Sequence, residues 1–229
     1  MTAPAAILWD IDGTLLRAPG SGVRAFTDAL HTVTGLEFPA TPIDMGGRTD
    51  PDIGSLILAA AGHTDPATLP LLLAEVERAW AAREHEFREI TEVKPGIARA
   101  LGDLAALGTV QTLVTGNLES VARRKIAIAG LGNELRMELG GYGSDHPIRH
   151  ELVRLSCRRI SDAGHTVALE DTWVVGDTHR DLACARAAGV RCILVATGMQ
   201  PYEELAALDA DAVFADLSDV AAFVTALGF

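Results

Sequence analysis

Asp10 and Asp12 stand two residues apart in the stretch ILWDIDGTLL, residues 7–16. Period-two alternation puts both carboxylates on one side for as long as a strand continues. Two carboxylates so close repel each other, so the pairing makes sense where a cation, a proton or a covalent reaction uses both. Asp177, in the distant segment GDTHRD, could complete a cage of hard oxygen donors. Mg²⁺ suits such a cage, because it is commonly held by one or two carboxylates together with water and phosphate oxygens. One aspartate could then attack phosphorus, and the other could protonate the leaving oxygen and later deprotonate water. The same Asp-x-Asp-Gly spacing occurs in calcium-binding EF-hand loops, but neither register fits. With Asp10 first, Leu15 stands where glycine is needed and Ser21 where glutamate is needed. With Gly13 sixth, the loop begins at Leu8 and ends at Pro19.

Two further clusters follow apolar runs. Thr115-Gly116-Asn117 lies between VQTLV and a helical pattern, so its hydroxyl and backbone amides suit a phosphate cradle. The same three residues also suit an ordinary helix start capped by Asn117. Asp181 comes one helical turn after Asp177, which places it behind the cage as an acceptor for the groups that form it, or within a capping turn.

Other features carry less. Gly20-Ser21-Gly22 begins a loose dinucleotide-type pattern, but it does not directly follow a strand and reads better as a hinge. Arg48, in GGRTD, either reaches a substrate or pairs with Asp50 or Asp52. His146 and His150 are spaced four apart but are separated by Pro147, which argues against a zinc pair. His179 reads as a helix-start residue near the site.

The elements that must position these residues can be read from periodicity. Ala5 to Trp9 is a short apolar run that reads as a buried parallel strand. Residues 23–92 carry helical periodicity and no good strand. From there strand and helix patterns alternate: VQTLVTG, a possible short strand in RMELGGYGS, TWVVGD, RCILVATG and AVFA are separated by helical stretches. One of these helices ends at Gly130 and another has Pro147 near its start. Such alternation predicts a parallel sheet with helices on both faces. In an open α/β sheet the ligand site lies beyond the carboxyl ends of the strands, so the three polar clusters can converge there.

The chain has 229 residues, enough for one large domain or a core with a smaller insert. With 48% hydrophobic and 22% charged residues it matches a soluble globular protein. A net charge of −12 repels nucleic acid and anionic membranes, so neither is expected as a partner. Cys157, Cys184 and Cys192 lack metal-type spacing and read as buried reduced thiols of a cytoplasmic protein. The N-terminal residues lack the features of a signal peptide, and no apolar run is long enough to span a membrane. Lysine is scarce: only Lys94 and Lys125 are present.

The motifs Asp10-Ile11-Asp12-Gly13-Thr14-Leu15, LVTGN with Thr115, and VVGDTHRD with Asp177 and Asp181 closely resemble those of the haloacid dehalogenase-like (HAD) hydrolase superfamily. Within it the chain looks most like phosphoglycolate phosphatase-type members, partly through GGRTD. The resemblance implies Asp10 as nucleophile and Mg²⁺ ligand. It implies Asp12 as general acid/base that gives the metal its backbone carbonyl, Thr115 as a phosphoryl-binding residue and Asp177 as a metal ligand. Asp12 argues against dehalogenation, which has no ester oxygen to protonate. The departure is the lysine that the superfamily usually places in a third motif. Lys125 and Arg149 are the available cations, and Arg149 stands nearer the expected location.

The expected architecture is therefore an α/β protein. A Rossmann-like parallel sheet core spans residues 1–16 and 93–229, with an inserted all-α cap over 17–92. The expected site has Asp10 and Asp12 as catalytic residues, with Asp10, Asp12 and Asp177 at the metal. Gly13, Thr14, Thr115, Gly116, Asn117 and Arg149 would bind phosphate, with Asp181 behind them and Arg48 reaching from the cap. The expected activity is Mg²⁺-dependent hydrolysis of a small phosphorylated metabolite through an aspartyl-phosphate. The rivals are a phosphomutase of the same superfamily and a phosphate binder with a degraded site. Physiological substrate and oligomeric state are not legible in the sequence.

Overall fold

A computed structural model describes residues 6–166 and 168–229. The expected first strand from Ala5 and the assigned core range thus include positions, residues 1–5 and Val167, that lie outside the described residues. The strands are β1 (Ala6–Trp9), β2 (Leu16–Arg17), β3 (Glu92–Val93), β4 (Val110–Thr115), β5 (Gly141–Tyr142), β6 (Thr172–Gly176), β7 (Arg191–Val195) and β8 (Ala212–Phe214). The α-helices are α1 (Ser21–Thr34), α2 (Asp50–Ala60), α3 (Thr68–Ala82), α4 (Glu84–Ile90), α5 (Ile97–Ala106), α6 (Glu119–Ala129), α7 (Arg149–Asp162), α8 (His179–Ala188), α9 (Tyr202–Ala206) and α10 (Val220–Ala226).

Six strands form one parallel sheet in the order β5-β4-β1-β6-β7-β8. Alternation within the strands feeds two apolar layers. Ile7, Trp9, Leu113, Trp173, Val175, Ile193 and Val195 enter one cluster with α5 and α10. Ala6, Leu8, Val114, Val174, Cys192 and Leu194 enter the other with α7 and α8. Both faces are covered, as a parallel sheet requires. The central strands β4, β1 and β6 are neighbours, so the polar clusters that follow them share one end of the sheet.

Helices α1 to α4, the expected insert, lie between β2 and β3. The chain enters and leaves it through an antiparallel ribbon, β2 with β3, which pairs Leu16 with Val93 and Arg17 with Glu92. The expected boundaries at 16/17 and 92/93 fall inside that ribbon. Phe26, Leu30, Ile53, Ile57, Leu72, Val76, Trp80 and Phe87 pack together, and Leu118 and Val121 from the start of α6 join them. The apolar core of the insert thus continues onto the sheet domain.

Two local readings gain exact bounds. The stretch RMELGGYGS holds a 3₁₀ turn, Met137–Leu139, and only two residues of strand. Pro147 lies two residues before α7 rather than within its first turn. Gly20, read as part of a hinge, takes the left-handed conformation directly before α1. Gly130 ends α6 in the left-handed conformation, as its position predicts. Cys157, Cys184 and Cys192 are all free thiols, the last two buried.

Candidate active site

The site is built at the carboxyl ends of β1, β4 and β6. Asp10 leaves β1 with its backbone amide still bonded to Val175 O of β6 at 2.9 Å. Its side chain is buried. Asp177 follows β6 directly and is buried as well, and Asp181 sits one turn into α8. Oxygen atoms of Asp10, Asp177 and Asp181 lie within 4.8 Å of one another.

Three buried carboxylates need positive charge. Arg149, at the first turn of α7, brings it: its Nη2 lies 2.8 Å from Asp10 Oδ1 and 2.5 Å from Asp181 Oδ1. Burial disfavours the guanidinium's charge, but Asp181 and Asp10 outweigh that and raise its pKa well above the ordinary value. The carboxylates remain under-compensated. Burial pushes Asp10 up to about 6 against the opposing pull of Arg149. Burial, then Asp181 and Asp10, push Asp177 up to about 9. A deficit of positive charge among hard oxygen donors is what a divalent ion such as Mg²⁺ satisfies, so the donor set fits one.

Backbone shape makes room for Asp177. Gly13 has φ +90°, and a Cβ built there would lie 2.3 Å from Asp177 Oδ2. A Cβ on Gly198, in the loop after β7, would lie 1.6 Å from the same oxygen. Thr14 is fully buried, and its hydroxyl lies 3.3 Å from Asp177 Oδ1. That hydroxyl was expected on phosphate; its partner here is the carboxylate.

Asp181 has both oxygens engaged. Oδ1 meets Arg149, and Oδ2 accepts from the Thr178 backbone amide at 3.0 Å and the Thr178 hydroxyl at 2.7 Å. This is the capping box of α8. Asp181 is thereby tied to its neighbours, whereas Asp177 has oxygens facing the glycine-lined space.

The Asp12 side chain turns away from this triad. Its Oδ2 meets Lys125 Nζ at 2.5 Å, and the side chain is half exposed. Lys125, on α6, also donates to Asn117 Oδ1 at 2.9 Å. Both cations weighed for the third motif therefore reach the site, but at different aspartates.

Thr115 is buried at the end of β4, where its hydroxyl accepts from the Asn117 amide at 3.3 Å. The helix that follows begins with Leu118 rather than Asn117 in the capping position. Its first amides are satisfied from elsewhere: Leu118 N–H donates to Asp50 Oδ2 at 2.8 Å and Glu119 N–H to Ser144 Oγ at 2.8 Å. Asp50 belongs to the insert and also donates its own amide to Gly116 O at 2.7 Å. Thr49 Oγ1 donates to Pro147 O at 2.8 Å. The segment GGRTD thus sits over the phosphate-cradle loop. Arg48 pairs with Asp52 at 2.6 Å. His179 meets Gln200 at the rim.

Asp50 is the participant that sequence reasoning missed. An acidic residue before Pro51 at a helix start already looks satisfied by its own helix, so nothing local says that it caps a helix 68 residues away. Gly198 was missed because its partner is equally remote.

Residues 7–186 match the family model of haloacid dehalogenase-like hydrolases. A protein of Dickeya dadantii named "Probable phosphatase IndB" is 29% identical, over 96% of this chain and 94% of its own. A phosphoglycolate phosphatase of Rhodospirillum rubrum is 30% identical, over 95% of this chain and 89% of its own. Among solved structures, CbbY from Rhodobacter sphaeroides in complex with phosphate superposes with a TM-score of 0.72 at 19% identity, over 94% of this chain and 95% of that one. That likeness concerns the fold. The match over most of the chain, on a parallel sheet whose strand ends gather Asp10, Arg149 and Asp177, has one consequence: this protein belongs to the haloacid dehalogenase-like hydrolases.

Proposed function

We propose that this protein is a Mg²⁺-dependent phosphatase that hydrolyses a small phosphomonoester through a phosphoryl group carried on Asp10. The observation that supports this best is the buried cluster of Asp10, Asp177 and Asp181 around Arg149 at the strand ends. The names of the relatives point the same way, and phosphoglycolate is the first ester to test.

Asp10 and Asp177 would hold the Mg²⁺, together with the Asp12 carbonyl. When bound, the ion supplies positive charge that offsets the carboxylates and the phosphate oxygens. The rest falls to side chains of this chain. Asp10 attacks phosphorus: an Asp10 oxygen–phosphorus bond forms as the ester P–O bond breaks. Asp12 gives its proton to the leaving oxygen. Water then attacks the same phosphorus, Asp12 takes its proton, and the bond to Asp10 breaks to release phosphate. Gly13, Thr115, Gly116 and Asn117 would cradle the phosphoryl oxygens at the strand ends, with Thr14 acting through Asp177. Arg149 stabilises negative charge from its buried position. Asp181 holds Arg149 and Thr178. The insert, spanning 17–92, would serve as the cap that excludes bulk water in the first step.

Free thiols, two of the three buried, support a cytoplasmic location. The acidic surface supports a small metabolite rather than nucleic acid or membrane as partner.

The test is a panel of phosphate esters, phosphoglycolate included, incubated with Mg²⁺ and scored by free phosphate. Wild-type protein should release phosphate from at least one, and Asp10→Asn should release none. An unchanged rate in Asp10→Asn would remove Asp10 as nucleophile. Turnover of a sugar phosphate into an isomer without free phosphate would favour the mutase.

A further inference from the structure

Lys125 is one of two lysines in the chain, and its side chain is 5% exposed. The surroundings of its ammonium are unusual. Nζ donates to Asp12 Oδ2 at 2.5 Å and to Asn117 Oδ1 at 2.9 Å. It also lies 5.0 Å from the centre of the Trp80 ring, which α3 of the insert lays over it. An ammonium has three donors. Two are used by Asp12 and Asn117, and the aromatic face covers a further side.

The geometry points to Lys125 as a positioning residue for Asp12, rather than as the phosphate-binding cation of the site. The pairing engages Oδ2, while Oδ1 accepts no hydrogen bond among the described residues. Asp12 follows the end of β1 and its side chain is 46% exposed, so without a fixed partner it has several orientations open to it. A buried cation is poorly screened, which makes the pairing firmer than one between two exposed side chains. Asp10 already has a cation of its own, Arg149 at 2.8 Å. Trp80 comes from the insert, so the lysine that orients Asp12 has a lid supplied by the cap.

This assignment rests on the phosphatase reading for its kinetic consequence. A group that donates a proton to the leaving oxygen matters most when that oxygen is a poor leaving group. Lys125→Met keeps the length of the side chain and removes its charge. With Mg²⁺ present, its kcat for phosphoglycolate should fall about 100-fold. Its kcat for 2,4-dinitrophenyl phosphate, which needs little protonation, should fall by less than about 5-fold, with KM within about 2-fold for both. Lys125→Arg, which keeps a positive donor, should recover part of the loss on phosphoglycolate. Equal losses on both esters, or a loss confined to KM, would overturn the assignment; the second would make Lys125 a phosphate ligand.

A crystal structure of the variant gives a reading independent of turnover. Asp12 should leave its wild-type position in Lys125→Met, and the same carboxylate position without the lysine would overturn the proposal. If Lys125→Met does not fold, Lys125→Arg carries both measurements, with a smaller displacement and a smaller preference between the esters in the same direction. Failure of the phosphatase reading would look different: wild-type protein would release phosphate from neither ester, and the structural comparison would then decide the Lys125–Asp12 pairing.

Discussion

Arg149 meets Asp10 at 2.8 Å through the same nitrogen, Nη2, that meets Asp181 at 2.5 Å. A guanidinium can fork onto two oxygens with two nitrogens, yet here one nitrogen takes both carboxylates. The consequence is that Arg149 Nε is buried without a hydrogen-bond partner. A point charge would serve the two aspartates without leaving that donor orphaned. Arg149→Lys should therefore stay within about 1 kcal/mol of wild type in stability, and within about 10-fold in kcat/KM. Arg149→Met leaves buried carboxylates unpaired and should lose about 3–5 kcal/mol. Its kcat should fall about 100-fold or more. Urea unfolding and phosphate release on the two variants check this; a lysine variant as damaged as the methionine one would show that the fork matters.

Metal removal has a predictable sign. Asp177 is pushed up to about 9 in the folded protein, first by burial and then by Asp181 and Asp10. Without metal the folded state binds a proton at Asp177 that the unfolded chain gives up above about 4. Stability of the metal-free protein should therefore fall as pH rises between about 4 and 9. Mg²⁺ should raise the melting temperature, by about 2.7 kcal/mol of stabilisation at one hundred times its Kd. Asp177→Asn should abolish that response and the activity. In EDTA it should be more stable than wild type, by a margin that widens from pH 5 to pH 8. Thermal melts with and without Mg²⁺ read all three effects, and a melting temperature indifferent to Mg²⁺ would sink the metal assignment.

The close approach of Gly198 to Asp177 gives a separate handle on the same carboxylate. A methyl group at residue 198 would fall 1.6 Å from Asp177 Oδ2, so Gly198→Ala must turn that side chain away. The Mg²⁺ concentration for half-maximal activity should rise about 10- to 100-fold. Stability in EDTA should drop by only about 1–3 kcal/mol. Gly102→Ala is the control, because a Cβ there meets nothing within 4 Å. A magnesium titration of activity on both variants distinguishes them.

Much of the sheet was legible because its code is local. Ile7 and Trp9 face one layer and Leu8 the other, as a period of two dictates, and the three polar clusters stand where their strands stop. The helical character of residues 23–92 was legible for the same reason. What escaped depends on contacts between distant segments. That Asp12 meets Lys125 depends on where α6 brings that lysine, 113 residues away, and a lone lysine in a helical pattern carries no mark of that. Likewise Arg48 stood out by its charge and pairs with its own helix. Its neighbour Asp50 looked ordinary and bonds across to Leu118. The two-residue strand at Gly141 was hard to bound because so short a run has no periodicity to read.

Asp50 itself supports a prediction about pH. It is buried, and burial pushes its carboxyl up to about 6, against the opposing influences of Lys125 and the Leu118 amide. In the unfolded chain the group titrates near 4. Between these values the folded protein holds a proton that the unfolded chain has lost, so stability falls as pH rises from about 4 to 6. Above pH 6 the ionised carboxylate carries a cost on the order of 3 kcal/mol relative to the protonated form. Asp50→Asn keeps an oxygen to accept from Leu118 N–H and removes the charge. Compared with wild type, it should be more stable at pH 7.5 and indistinguishable near pH 4. Asp50→Ala removes the acceptor as well, leaves the Leu118 amide just before α6 unpaired, and should lose about 1–2 kcal/mol relative to Asp50→Asn at either pH. Urea titrations of the three proteins at both pH values check this. A wild-type protein more stable than Asp50→Asn at pH 7.5 would mean that the ionised Asp50 is held by Lys125 strongly enough to outweigh its burial.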